Sequence, residues 1–120
     1  MIIKKIEWIS EEIKEAEIII SDGAFELLCF SHPCPFVEGQ IINDYIDTLC
    51  AKNIVRVDEH IFVVEKAEDY FAYDITGKVI DCKNGIVQVG PMYLVVDGYM
   101  PGDIVNGEFI SFRCMRLDLD

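Results

Sequence analysis

Along this chain the apolar residues change their spacing several times, and each change of period marks an element. From Thr76 to Leu119 β-branched and aromatic residues recur between turn residues. Asn84-Gly85 supplies a tight hairpin turn there, and Met100-Pro101-Gly102-Asp103 leads into a last long strand, so the stretch predicts a β-meander. Earlier, Ile18-Ile19-Ile20, the turn Ser21-Asp22-Gly23 and Phe25 to Phe30 predict a hairpin, with strand over residues 16–21. Ile54 to Val57 and Ile61 to Val64 are two further β-like runs around the polar Asp58-Glu59-His60.

Two stretches give conflicting signals. Ile6, Ile9, Ile13, Ala16 and Ile20 recur at helical spacing among acids and lysines, and Ile41, Ile42, Tyr45, Ile46, Leu49 and Cys50 fall on one helical face. Against this stands an internal echo. Sliding the chain by 62 residues lays Glu7-Trp8-Ile9 on Asp69-Tyr70-Phe71, Ile18 on Ile80, and Asp22-Gly23 on Asn84-Gly85. With one residue of adjustment, Gly39 to Asn43 falls on Gly102 to Asn106 and Thr48-Leu49 on Ser111-Phe112. The partners of the helix-like stretches are aromatic and β-branched, which favours strand.

The expectation is therefore a mainly β fold, an antiparallel barrel or sandwich built from two tandem β-meander repeats over about 7–57 and 69–119. In pattern it is compatible with an oligonucleotide/oligosaccharide-binding type of barrel. The alternative is an α+β fold with helices near 2–15 and 41–52. At 120 residues, one domain spanning 1–120 is the natural size.

Composition narrows the function classes. A hydrophobic content of 52% excludes a disordered chain, no apolar run is long enough to span a bilayer, and the first residues lack a secretory apolar segment. The five cysteines are odd in number and irregular in spacing, which points to reduced thiols and the cytoplasm. Cys82 aligns with Ile20 and Cys114 with Ala51, so a small apolar residue replaces sulfur at those positions. The net charge is −12, shared by both halves. Such a body repels phosphate backbones and anionic lipid and attracts cationic surfaces, which argues against nucleic acid or membrane as ligand and for a basic protein partner.

The densest acidic run, Glu7, Glu11, Glu12, Glu15 and Glu17, is the candidate partner-binding face. Cys29, His32 and Cys34 form the candidate metal set, with zinc as the ion their donors suit, although C-x2-H-x-C is not a common zinc spacing. A nucleophilic role for Cys34 beside His32 is disfavoured, because acidic surroundings raise a thiol pKa. No phosphate loop, metalloprotease helix or serine elbow occurs, and no catalytic set emerges. Asp22, Asp97 and Asp103 sit beside glycines as turn caps. Arg113 and Arg116 are expected to pair with acids such as Asp118 or Glu108. The reading favoured over an enzyme is an acidic binding protein for a basic macromolecule, of which an immunity-type inhibitor of a toxin or nuclease is the most concrete form. The alternatives are a small metal-binding module or enzyme without any other cofactor, and a subunit of a larger assembly.

Overall fold

The computed structural model describes residues 1–98 and 100–119. Among these residues the regular elements are all strands: β1 (Ile2–Ser10), β2 (Glu15–Ser21), β3 (Glu26–Ser31), β4 (Ile46–Leu49), β5 (Lys52–Val57), β6 (Val63–Lys66), β7 (Tyr73–Asp81), β8 (Ile86–Val89), β9 (Met92–Val95), β10 (Phe109–Cys114) and β11 (Arg116–Asp118). The mainly β expectation holds. No described helix is long and apolar enough to cross a membrane.

The helices considered near 2–15 and 41–52 do not form, and the first has a traceable cause. β1 pairs with β2 through two register shifts, between Ile3 and Lys5 and between Trp8 and Ser10. Each shift inserts an extra residue into the two-residue alternation of a strand, and the first makes the inward-turned Ile3 and Ile6 fall three apart, as on a helix. Ile3 is buried and Ile6 half-buried by this means, while Ile9 and Ile13 are exposed. In the second stretch, Ile42, Ile46 and Thr48 turn inward around an irregular segment that precedes β4.

The predicted hairpins form through local turn chemistry. Between β2 and β3, one carboxylate oxygen of Asp22 accepts the amides of Ala24 and Phe25, both at 2.7 Å, and Gly23 takes φ 96°. The turn at Asn84-Gly85 is longer than expected. Four residues separate Asp81 from its partner Ile86, only Gly85 has positive φ, and the Asp81 carboxylate accepts the Lys83 and Asn84 amides. At the centre of β7, a Cβ on Gly77 would lie 2.6 Å from the Gln88 carbonyl oxygen, so glycine is what lets β8 pack this closely.

The strands form one mixed sheet in the order β1-β2-β3-β11-β4-β9-β8-β7-β10-β5, with β6 also on β7. Its parallel pairs, β3 with β11 and β4 with β9, join the two meanders. The segment β4–β5 runs antiparallel to β10–β11, from Asp47 opposite Asp118 to Val57 opposite Phe109, with one register shift. At the Cys50 bend, where φ is 54°, Asp97 reaches across to accept the amides of Cys50 and Ala51, both at 2.9 Å. Asp97 thus caps a distant bend instead of its own turn. One buried cluster draws on both meanders, from Ile3, Ile18 and Ile20 to Val79, Leu94, Ile110 and Leu117.

The rims of the sheet are treated differently. Residues 37–42 run beside the start of β1: Gly39 donates to the Ile3 carbonyl at 2.7 Å, Ile3 to the Gln40 carbonyl at 2.8 Å, and the Glu38 carboxylate accepts the Ile6 amide at 3.0 Å. β5 has a register shift beside Asn53, whose φ is 56°. β6 is four residues long.

Candidate protein-interaction site

The acidic run lies on the β1–β2 hairpin, and the strand alternation sorts its members. Glu7 stands directly opposite Glu17, Ser10 opposite Glu15, and Trp8 opposite the buried Ala16. Glu7, Glu15 and Glu17 therefore share the outer face, while Glu11 and Glu12 occupy the exposed turn between the strands. Like charges facing across a ladder oppose pairing. Two neighbours offset that here: Lys5 forms an ion pair with Glu7 at 2.6 Å, and the Tyr70 hydroxyl donates to Glu17 at 3.0 Å. The hydrogen bond to Glu7 raises the Lys5 pKa, and the one to Glu17 raises that of Tyr70.

The opposite side of the hairpin tip holds a feature that charge reasoning did not reveal. Trp8, Lys14, Pro33, Cys34, Pro35, Phe36 and Val37 line a groove of about 430 Å³. Its walls are tethered at both ends. The Cys34 amide donates to the Lys14 carbonyl at 2.7 Å, and the 37–42 segment is fastened to β1 as described above. Trp8 is 39% exposed and shares the groove with Val37 (64%), and Ile9 (51%) and Ile13 (53%) are also exposed on the same hairpin. Exposed apolar side chains, an aromatic among them, close to charged ones are a combination that recurs in protein interfaces. The available signal was the single tryptophan beside the acids together with two prolines in the loop that packs on it.

The cysteine and histidine candidates are not presented together. Cys29 is fully buried on β3, where desolvation, followed by the charge of Asp118, raises its pKa well above the ordinary thiol range. Cys34 is buried behind the groove, and His32 is exposed, its ring centre 6.5 Å from that of Phe30. Among the described residues no three histidine, cysteine or acidic side chains are grouped to hold a metal ion. Cys114 is also buried, and desolvation pushes its thiol up to about 12, so Cys29 and Cys114 behave as packing residues. The cysteines are all free thiols.

A second, more polar depression of about 420 Å³ lies over β5, β10, β7 and β6. The Arg113 guanidinium crosses it to Asp74 with hydrogen bonds of 2.7 and 2.8 Å. Arg116 pairs with Asp118 at 2.6 Å, as expected, and its guanidinium lies over the Phe30 ring. Glu108 pairs with Arg56 instead. The hydrogen bonds from Arg113 hold the Asp74 carboxyl below the usual carboxylate range. A lowered folded-state value contributes stability above the unfolded pKa and loses it as pH falls through the folded one. In Arg113→Met the Asp74 carboxyl carbon, followed by NMR, is expected to titrate at higher pH than in the wild type; an unchanged midpoint would show that Arg113 is not the cause.

No family model, curated protein or solved structure matches the chain. The functional reading therefore rests on the hairpin and its groove.

Proposed function

We propose that this protein is a non-enzymatic binding protein that holds a basic protein partner through the β1–β2 hairpin. The observation that carries the reading is the coincidence on one hairpin of Glu7, Glu11, Glu12, Glu15 and Glu17 with exposed Trp8, Ile9 and Ile13. Surface charge steers the encounter and sets its salt dependence, and apolar contact supplies the lasting attachment. An immunity-type inhibitor of a basic toxin or nuclease is the most concrete form of this role. The same strip would also serve a subunit permanently covered by its neighbour. Unbridged thiols fit a reducing compartment, so the cytoplasm is the location proposed with it.

The architecture proposed with this role is a barrel-like, duplicated one. The third strand of each meander, β3 or β9, pairs in parallel with a strand from the other half of the chain, which supports two copies of one unit within a single domain. β10 and β11 follow one another directly along the chain, so the order β4-β9-β8-β7-β10 leads back to β4 through β11, which supports an arrangement of barrel type.

The test is capture from cell extract by wild-type protein and by the triple variant Glu11→Lys, Glu12→Lys, Glu15→Lys. A basic protein held at low ionic strength is expected to be released as salt rises toward the range where exposed charges are screened within about 8–10 Å. The triple variant is expected to bind it at least about tenfold more weakly. If the captured protein is a nuclease or toxin, its activity is expected to fall in proportion to the amount bound. Capture indifferent to both salt and charge reversal would remove the proposal.

A further inference from the structure

The groove beside the acidic face is the feature whose chemistry most narrowly defines an occupant. Trp8, Pro33, Pro35, Phe36 and Val37 form its apolar wall, and Phe36 is anchored in the buried layer while Val37 stands at the mouth. Backbone hydrogen bonds hold both banks, from Lys14 to Cys34 at one end and from Ile3 to Gly39 at the other, so the space exists before anything enters it. A preformed apolar groove spends little ordering entropy on accepting a side chain.

Resting on the reading of a basic partner, we propose that the groove receives one bulky apolar side chain, aromatic or aliphatic, from that partner, carried on a segment with lysine or arginine on either side. Charge complementarity selects this occupant. Glu38 directly follows Val37 of the groove, and Glu11 and Glu12 occupy the exposed turn just before Lys14, the basic residue in its lining. The partner's basic flank consequently lies toward Glu38, away from Lys14. A second copy of this chain, itself carrying a net charge of −12, is repelled by the same acids.

Trp8 is the sole tryptophan, so its fluorescence reports occupation directly. The probe is a short lysine-rich peptide with one central phenylalanine, compared with the same peptide carrying alanine at the centre and with a glutamate-rich version that keeps the phenylalanine. The phenylalanine–lysine peptide is expected to shift the Trp8 emission and to bind about tenfold or more tightly than either control. Val37→Arg, an exposed change at the mouth, is expected to remove that advantage without altering the circular dichroism spectrum.

If the alanine and phenylalanine lysine peptides bind alike and both weaken with salt, the groove proposal fails while the charge reading survives. If the phenylalanine peptides bind equally well with lysine or glutamate flanks, the stated partner chemistry and the charge reading both fail. Absence of a Trp8 response to the phenylalanine–lysine peptide up to millimolar concentration overturns the groove proposal. A native mass showing dimers that Val37→Arg dissociates would assign the groove to a second copy and overturn it as well.

Discussion

Cut within the segment from Asp58 to Phe62, the chain is expected to yield two fragments that do not fold separately but assemble when produced together. The pairing order dictates this. β11 from the second fragment lies between β3 and β4 of the first, β4 pairs with β9, and β5 pairs with β10. The links extend to side chains: the Leu28 amide donates to the Tyr73 hydroxyl at 2.9 Å, and Asp97 caps the bend at Cys50. Separation would expose apolar surface now shared in one cluster and leave strands without partners. Each fragment would also be near the size at which a core is marginal, since a domain of about 60 residues buries only about 60% of its extended surface. The cut itself removes little, because Asp58, Glu59, His60 and Ile61 are exposed, although His60 stacks on Phe109. Amide dispersion in NMR spectra of each fragment and of the co-purified pair is the measurement. A fragment with a native-like spectrum by itself would show that the exchanged strands are dispensable.

Replacing Leu117 by alanine should produce the largest loss of stability for a single side chain. Leu117 is fully buried on β11, opposite Thr48 of β4, at the junction of the two meanders. A buried leucine truncated to alanine costs about 2–5 kcal/mol, the higher figure applying where the surroundings cannot close around the cavity. Strand partners on both edges of β11 restrict such closure. Total stabilities are about 5–15 kcal/mol, so the change would consume a large share. Met115→Ala, two residues earlier at an exposed site, is expected to change stability by no more than about 0.5 kcal/mol. Urea unfolding of the two variants decides the matter: midpoints displaced equally would mean that the junction is no better packed than the surface.

The residues differ in how openly they announced their places. β2, β3 and the strands from β7 to β9 could be read because their turns are local: Asp22 and Asp81 each cap amides within three residues. β1 was ambiguous because its bulges interrupt the period of two and its helix-spaced Ile9 and Ile13 are exposed, and nothing in a single strand's sequence records the partner that imposes the bulges. Arg116 found the neighbouring Asp118, whereas Arg113 took Asp74 across the β10–β7 ladder, a choice fixed by register. The acidic hairpin was legible from charge density. Its groove was not, since that depends on residues 33–37 folding back beside Trp8. Cys29, His32 and Cys34 are close in sequence, but the alternation of β3 and the loop beyond it turns the two thiols inward and leaves the imidazole outside.

The guarded rims of the sheet bear on how the molecule behaves when crowded. A bare strand margin is a template on which further chains can stack into fibres, and charge alone protects against this only while salt is low. Here the Glu38 side chain occupies an amide of β1, the Asn53 bulge interrupts β5, and β6 is too short to offer a long ladder. Protection built into hydrogen bonding and strand geometry in this way does not depend on long-range repulsion, so a protein rich in β-structure can expose apolar side chains on a hairpin without offering a bare margin for stacking.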